Sequence, residues 1–102
     1  MKIVRVIYTT KAEYSEQNQK NIQTVMSDLK QIANTGINYN SCLSPDGVSF
    51  THTAFFQSEE DEKVLLGLPA FKVFQEQLKA NGLVAPPKQE VLTLVGSSKE
   101  LF

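Results

Sequence analysis

Apolar positions recur along this chain at two different periods. Residues 2–10 are dense in β-branched side chains, Ile3, Val4, Val6, Ile7, Thr9 and Thr10, which suit a pleated strand. Ile3 and Ile7 point to one side, and Val4, Val6 and Tyr8 to the other. A strand apolar on both faces is normally covered on both. The period then lengthens. Ser15 is a good N-cap and Glu16 suits the positive end of a helix dipole. Ile22, Val25, Met26, Leu29, Ile32 and Ala33 come next at steps of three and four, one stripe of a helix. Gln17, Asn18, Gln19, Lys20 and the other polar residues between them are expected in water, with Tyr14 on the surface before them. Gly36 is expected to end the helix in the left-handed conformation.

Period two returns at 37–43 and 48–56, around Ser44-Pro45-Asp46-Gly47. Pro at the second turn position and Gly at the fourth favour type I, with Gly47 left-handed. A three-residue loop sets Ser44 against Val48, Asn40 against His52, Cys42 against Phe50 and Tyr39 against Thr53. Asn38, Asn40 and Cys42 then share a face with Phe50, His52, Ala54 and Phe56. Residues 58–62 are acidic and exposed, with the start of a short helical turn. Pro69 suits the first turn of a second helix. Phe71, Phe74 and Leu78 form its stripe, and it ends near Asn81-Gly82. Pro86-Pro87 separates it from a last strand, 89–95. Ser97–Phe102 is a tail whose Leu101 and Phe102 are expected to dock. Strand, helix, strand, strand, helix, strand is the order of the ferredoxin-like fold. The class is α+β, a four-stranded antiparallel sheet with two helices on one side, in a single domain spanning 1–102.

Composition narrows the function. The 102 residues carry 10 Lys plus Arg and 11 Asp plus Glu, a net charge of −1. That balance lacks the basic surplus of a nucleic-acid binder. A single cysteine, Cys42, excludes an internal disulfide and a multi-thiolate zinc site, and it reads as a small packing residue. Arg5 interrupts the N-terminal apolar run and Gly67 and Pro69 interrupt the longest one. No secretory leader and no membrane span are therefore expected, and a reduced, cytoplasmic setting fits.

Two helices cover one side of the sheet, and the other side is not polar. Leaving it wet forgoes about 1.5–3 kcal/mol per large apolar side chain and exposes a patch larger than monomers tolerate. A second copy across a twofold axis is the economical cover, so a homodimer with its sheets face to face is expected. Arg5 is expected to pair with a carboxylate of that second copy, the alternative being a clamp on an anionic ligand. Four stretches now acquire a common meaning: Val6-Ile7-Tyr8-Thr9-Thr10-Lys11, Asp46-Gly47-Val48-Ser49-Phe50-Thr51-His52, Leu65-Leu66-Gly67-Leu68-Pro69-Ala70-Phe71 with Phe74-Gln75, and Thr93-Leu94-Val95-Gly96-Ser97. With the element order, they make the chain resemble the dimeric α+β barrel superfamily. That group includes the antibiotic biosynthesis monooxygenases and the stress-responsive barrel proteins. The resemblance implies a cavity between sheet and helices. Among the group's monooxygenases it implies oxidation of small aromatic or quinol-type substrates without metal or flavin. Haem-degrading relatives place a histidine on a helix with a tryptophan nearby, whereas this chain has one histidine in a predicted strand and no tryptophan.

His52 is the candidate catalytic residue, as a base that ionises a substrate or as a group that orients it. Its alternative is a core histidine bonded to Asn40 across the strand pair. Asn40, Tyr39, Tyr8, Phe50, Phe71 and Phe74 are the candidate pocket residues. No cofactor is expected, and no metal, since His, Asp and Glu nowhere take ligand spacing. Two functions remain open. One is a cofactor-free monooxygenase-like enzyme with a cavity beside His52. The other is a non-catalytic dimeric barrel that binds a ligand or partner protein, with the space at His52 filled by Phe50, Phe71 and Phe74.

Overall fold

The β-branched run forms β1, Lys2–Thr9, and a computed structural model describes it together with all other residues, Met1 to Phe102. β1 lies inside a four-stranded antiparallel sheet of order β2-β3-β1-β4. Its neighbours are β3 (Ser49–Phe56) and β4 (Lys88–Leu92), and β2 (Ile37–Leu43) is the other edge. This is the ferredoxin-like order expected. Three helices, α1 (Ser15–Ile32), α2 (Glu59–Leu66) and α3 (Pro69–Gln77), connect the strands. Ile22 and Val25 of α1, Leu65 of α2 and Phe71 and Phe74 of α3 bury against Tyr8, Phe50, Ala54 and Phe56 of the sheet.

Several local expectations are corrected. α1 ends on Ala33, not Gly36: Ala33 takes the left-handed conformation (φ 56°), and its N–H bonds to the Leu29 carbonyl. Gly36 serves instead as a point of close approach, because a Cβ there would collide with the Asp61 carboxylate. Residues 58–62 do more than begin a turn. Ser58 caps a two-turn helix, α2, by accepting from the Asp61 N–H (3.3 Å). α3 does not run on as an α-helix to Gly82 but passes into a π turn, Leu78–Gly82. β4 stops at Leu92 because its partner does: Leu92 pairs with Ile3, and β1 begins one residue earlier.

The hairpin correction matters most. Asp46 accepts from the N–H groups of Val48 and Ser49 (both 2.9 Å) and from the Ser49 hydroxyl (2.6 Å). Ser44 N–H donates to the Ser49 carbonyl, which makes the loop one residue longer than expected. The register therefore pairs Tyr39 with Ala54, Asn40 with Thr53, Ser41 with His52 and Cys42 with Thr51. A one-residue slip moves a whole strand to the other face. Tyr39 and Ser41 now share the helix side with His52. Asn38, Asn40 and Cys42 lie on the outer side, where Cys42 is exposed rather than packed.

The outer face carries Ile3, Ile7, Phe55 and Leu92 among threonines, serine, asparagines and Cys42. At its centre Arg5 pairs with Glu90 of its own chain (2.6 Å). The tail docks on this sheet: Asn38 Nδ2 donates to the Leu101 carbonyl (3.3 Å), and Leu101 is half-buried. No helix is long and apolar enough to cross a membrane.

Candidate functional site

On the helix side of the sheet, buried polar side chains of three strands gather at one place. Three adjacent strands bring Tyr8 of β1, His52 of β3 and Tyr39 of β2 into a row beneath α1 and α3. His52 is only 4% exposed. Its Nε2 lies 2.7 Å from the Tyr8 hydroxyl and its Nδ1 lies 2.6 Å from the Tyr39 hydroxyl. Asn18, fully buried on α1, donates from Nδ2 to the Tyr8 oxygen (2.9 Å).

The direction of the two imidazole bonds follows the tautomer. With the proton on Nδ1, Tyr8 donates to Nε2, Nδ1–H donates to the Tyr39 oxygen, and the Tyr39 hydrogen has no protein acceptor and can meet a ligand. With the proton on Nε2, it donates to the Tyr8 oxygen and Tyr39 donates to Nδ1. Burial keeps the imidazole neutral by pushing His52 down to about 4. At pH 7 only about one molecule in a thousand carries the imidazolium. Burial also raises both tyrosines far above the ordinary phenol, partly opposed at Tyr8 by the Asn18 hydrogen bond.

Aromatic rings frame the row. Tyr8 stacks on Phe50 (centroids 5.4 Å) and on His52 (5.2 Å). Phe74 lies 5.4 Å from His52, and Phe71 meets Tyr39 edge-on at 6.2 Å. Space remains between these rings and β4. One cavity of about 250 Å³ is bordered by Tyr8, Tyr39, His52, Phe71 and Phe74, with Gln75, Lys79 and Gln89 at its polar positions. A smaller space of about 120 Å³ shares His52, Tyr39 and Phe71 with it and continues towards Val4, Ala54, Phe56 and Leu65. An enclosed apolar space of about 150 Å³ is enough for a benzene ring. Larger, shallower grooves run between α1 and β2, but no such row of buried polar groups converges on them.

Five of the seven residues expected at a site therefore border one cleft: His52, Tyr8, Tyr39, Phe71 and Phe74. Phe50 stands behind Tyr8 as support and does not line the cleft. Asn40 is corrected: it is exposed on the outer side of β2 and bonds Asn38 (2.9 Å), because the hairpin register turned it away. Asn18 and Tyr14, expected in water, are both buried. Their signal lay in the spacing: Tyr14, Asn18, Ile22 and Val25 fall on one stripe, so Asn18 is a polar residue on the core face of its helix. No three His, Cys, Asp or Glu side chains come together as a metal cluster.

No protein-family model and no curated protein matches the sequence. Solved structures do match in shape. Rv0793 from Mycobacterium tuberculosis aligns with a TM-score of 0.78 at 15% identity, over 96% of this chain and 98% of that one. A candidate antibiotic biosynthesis monooxygenase from Nitrosomonas europaea aligns at 0.79 and 11% identity, over 94% and 100%. SnoaB, a cofactor-independent oxygenase from Streptomyces nogalater, aligns at 0.69 and 13% identity, over 97% and 98%. The fold is that of the antibiotic biosynthesis monooxygenase-like proteins.

Proposed function

We propose that this protein is a cofactor-free, monooxygenase-like enzyme that oxidises small phenols or quinols in the cleft beside His52. The observation that carries the reading is the buried Asn18–Tyr8–His52–Tyr39 row ending on an open, aromatic-walled space. The similarity to SnoaB, a cofactor-independent oxygenase of the same fold, supports it. Shape alone would not, because one fold hosts many reactions.

The chemistry needs an electron-rich anion. A ring lying against Phe71 and Phe74 presents its oxygen to the Tyr39 hydroxyl. In the Nδ1–H tautomer His52 donates to that hydroxyl and holds it in place, with its own hydrogen turned to the ligand. A preorganised donor in a water-poor site stabilises a phenolate or enolate strongly. With its low basicity, His52 acts by orienting Tyr39 rather than by storing a proton. The phenol gives its proton to water as it enters, the bound anion passes one electron to O2, and the radical pair combines at a ring carbon as a peroxide that takes a proton back to become the hydroperoxide. Loss of water, with departure of the ring hydrogen, leaves a carbonyl. One oxygen atom enters the product, the other leaves as water, and the substrate supplies all the electrons.

Oxygen uptake with hydroquinone-type substrates, above the protein-free rate, tests this. Tyr39→Phe keeps the ring and deletes the donor, and is expected to lower kcat about 10²-fold. His52→Gln is expected to do the same. An absence of uptake by the parent protein, or parental turnover in a folded Tyr39→Phe variant, would overturn the assignment.

We also propose that two copies associate through their outer sheet faces. Ile7 and Phe55 are half-buried there, and Arg5 Nε is buried without a hydrogen-bond acceptor in the single chain. A second copy would complete both the burial and the bonding.

A further inference from the structure

The cleft around His52 is unequal in charge along its length. At its wider end the only charged lining residue is Lys79, which forms no ion pair. Lys79 stands in the π turn that closes α3, next to the buried Leu78. A π turn shifts the side chains beyond it relative to an α-helix and is frequent at functional sites. At the narrower end the walls are Val4, Ala54, Phe56, Leu65 and Leu66. The only charge there, Glu62, is neutralised by Lys2 at 3.0 Å. Between the two ends stand His52 and Tyr39, flanked by the uncharged amides of Gln75 and Gln89.

We infer that the cleft takes an elongated phenol or enol carrying a carboxylate, with the carboxylate at Lys79 and hydrocarbon towards Leu65 and Leu66. The inference rests on the cleft being the substrate site, and it adds substrate class and orientation. A carboxylate at the narrow end would lose its water against apolar walls and face Glu62. A cationic ligand would meet Lys79 with no carboxylate in the wider part to compensate. Of the charged ligands, an anion at the wide end suits both ends and leaves the hydroxyl for Tyr39 and the imidazole row.

Calorimetric titration with 6-hydroxy-2-naphthoate, its methyl ester and 2-naphthol tests the inference. The acid is expected to bind about five- to tenfold more tightly than the ester, a preference that weakens with added salt. Lys79→Gln is expected to bring acid and ester level, and Lys79→Glu to invert their order. Lys72→Gln, on α3 but away from the cleft, should keep the preference. Equal binding of acid and ester by the parent, or a preference that survives Lys79→Gln, overturns the inference while leaving the cleft as an aromatic site. Failure of all three compounds to bind overturns both.

Discussion

His52 is a buried histidine whose two ring nitrogens are both engaged and whose charge is suppressed. Its folded value near 4 lies below the ordinary 6.5, so between those limits the unfolded chain binds more protons than the folded one. Stability is therefore complete above pH 6.5 and is lost as pH falls towards 4, by about 3 kcal/mol from this group. Denaturant unfolding from pH 7 to 4 should show that loss, and His52→Gln should remove it from the total. In parallel, the ring resonances of the single histidine should stay unmoved down to about pH 5. A midpoint near 6.5 would contradict a buried neutral imidazole. The sequence made His52 legible because it stands alone among apolar neighbours on a strand. Tyr8 and Tyr39 were legible as polar-tipped rings on the two neighbouring strands. Asn18 was not, because an asparagine beside Gln17 and Gln19 reads as wet unless its place on the Ile22–Val25 stripe is weighed above its polarity.

Among the elements, β1, α1 and the two hairpin strands are legible from periodicity, and their limits differ from expectation by a residue or two. The pairing of β2 with β3 is harder to read. One residue more in the loop turns Asn40 and Cys42 outward and Tyr39 inward, and only the three bonds gathered by Asp46 decide it. A period of two has no tolerance for that ambiguity. The π turn was equally hidden, since its helical composition continues that of α3. It is pinned at Gly82, whose carbonyl accepts from Lys11 N–H (2.8 Å) and whose missing Cβ makes room for the Tyr14 ring. Gly82→Ala would push a methyl into that ring and is expected to destabilise by about 1–3 kcal/mol. If Lys79 depends on the turn for its place, the same variant should also weaken binding of 6-hydroxy-2-naphthoate more than that of 2-naphthol. An unchanged melting temperature would mean that the ring yields freely.

For the molecule as a whole, the order of elements was enough to give the ferredoxin-like sheet, because few topologies accept strand, helix, strand, strand, helix, strand. What covers the outer face was less legible. The Arg5–Glu90 pair sits inside one chain, and the tail already spans part of that face through Asn38 and Leu101. Sedimentation at micromolar concentration should nonetheless give a species of twice 11.4 kDa, and Phe55→Glu should dissociate it. A stable monomer of the parent chain would refute the paired sheets. The central claim is that the cleft beside His52 receives an aromatic ligand whose oxygen meets Tyr39. With one histidine in the chain, its ring signals report on that place alone. Titrating the isotope-labelled protein with 2-naphthol should move them saturably, and Tyr39→Phe should weaken the midpoint. Ligand binding that leaves the His52 signals where they were would contradict the claim.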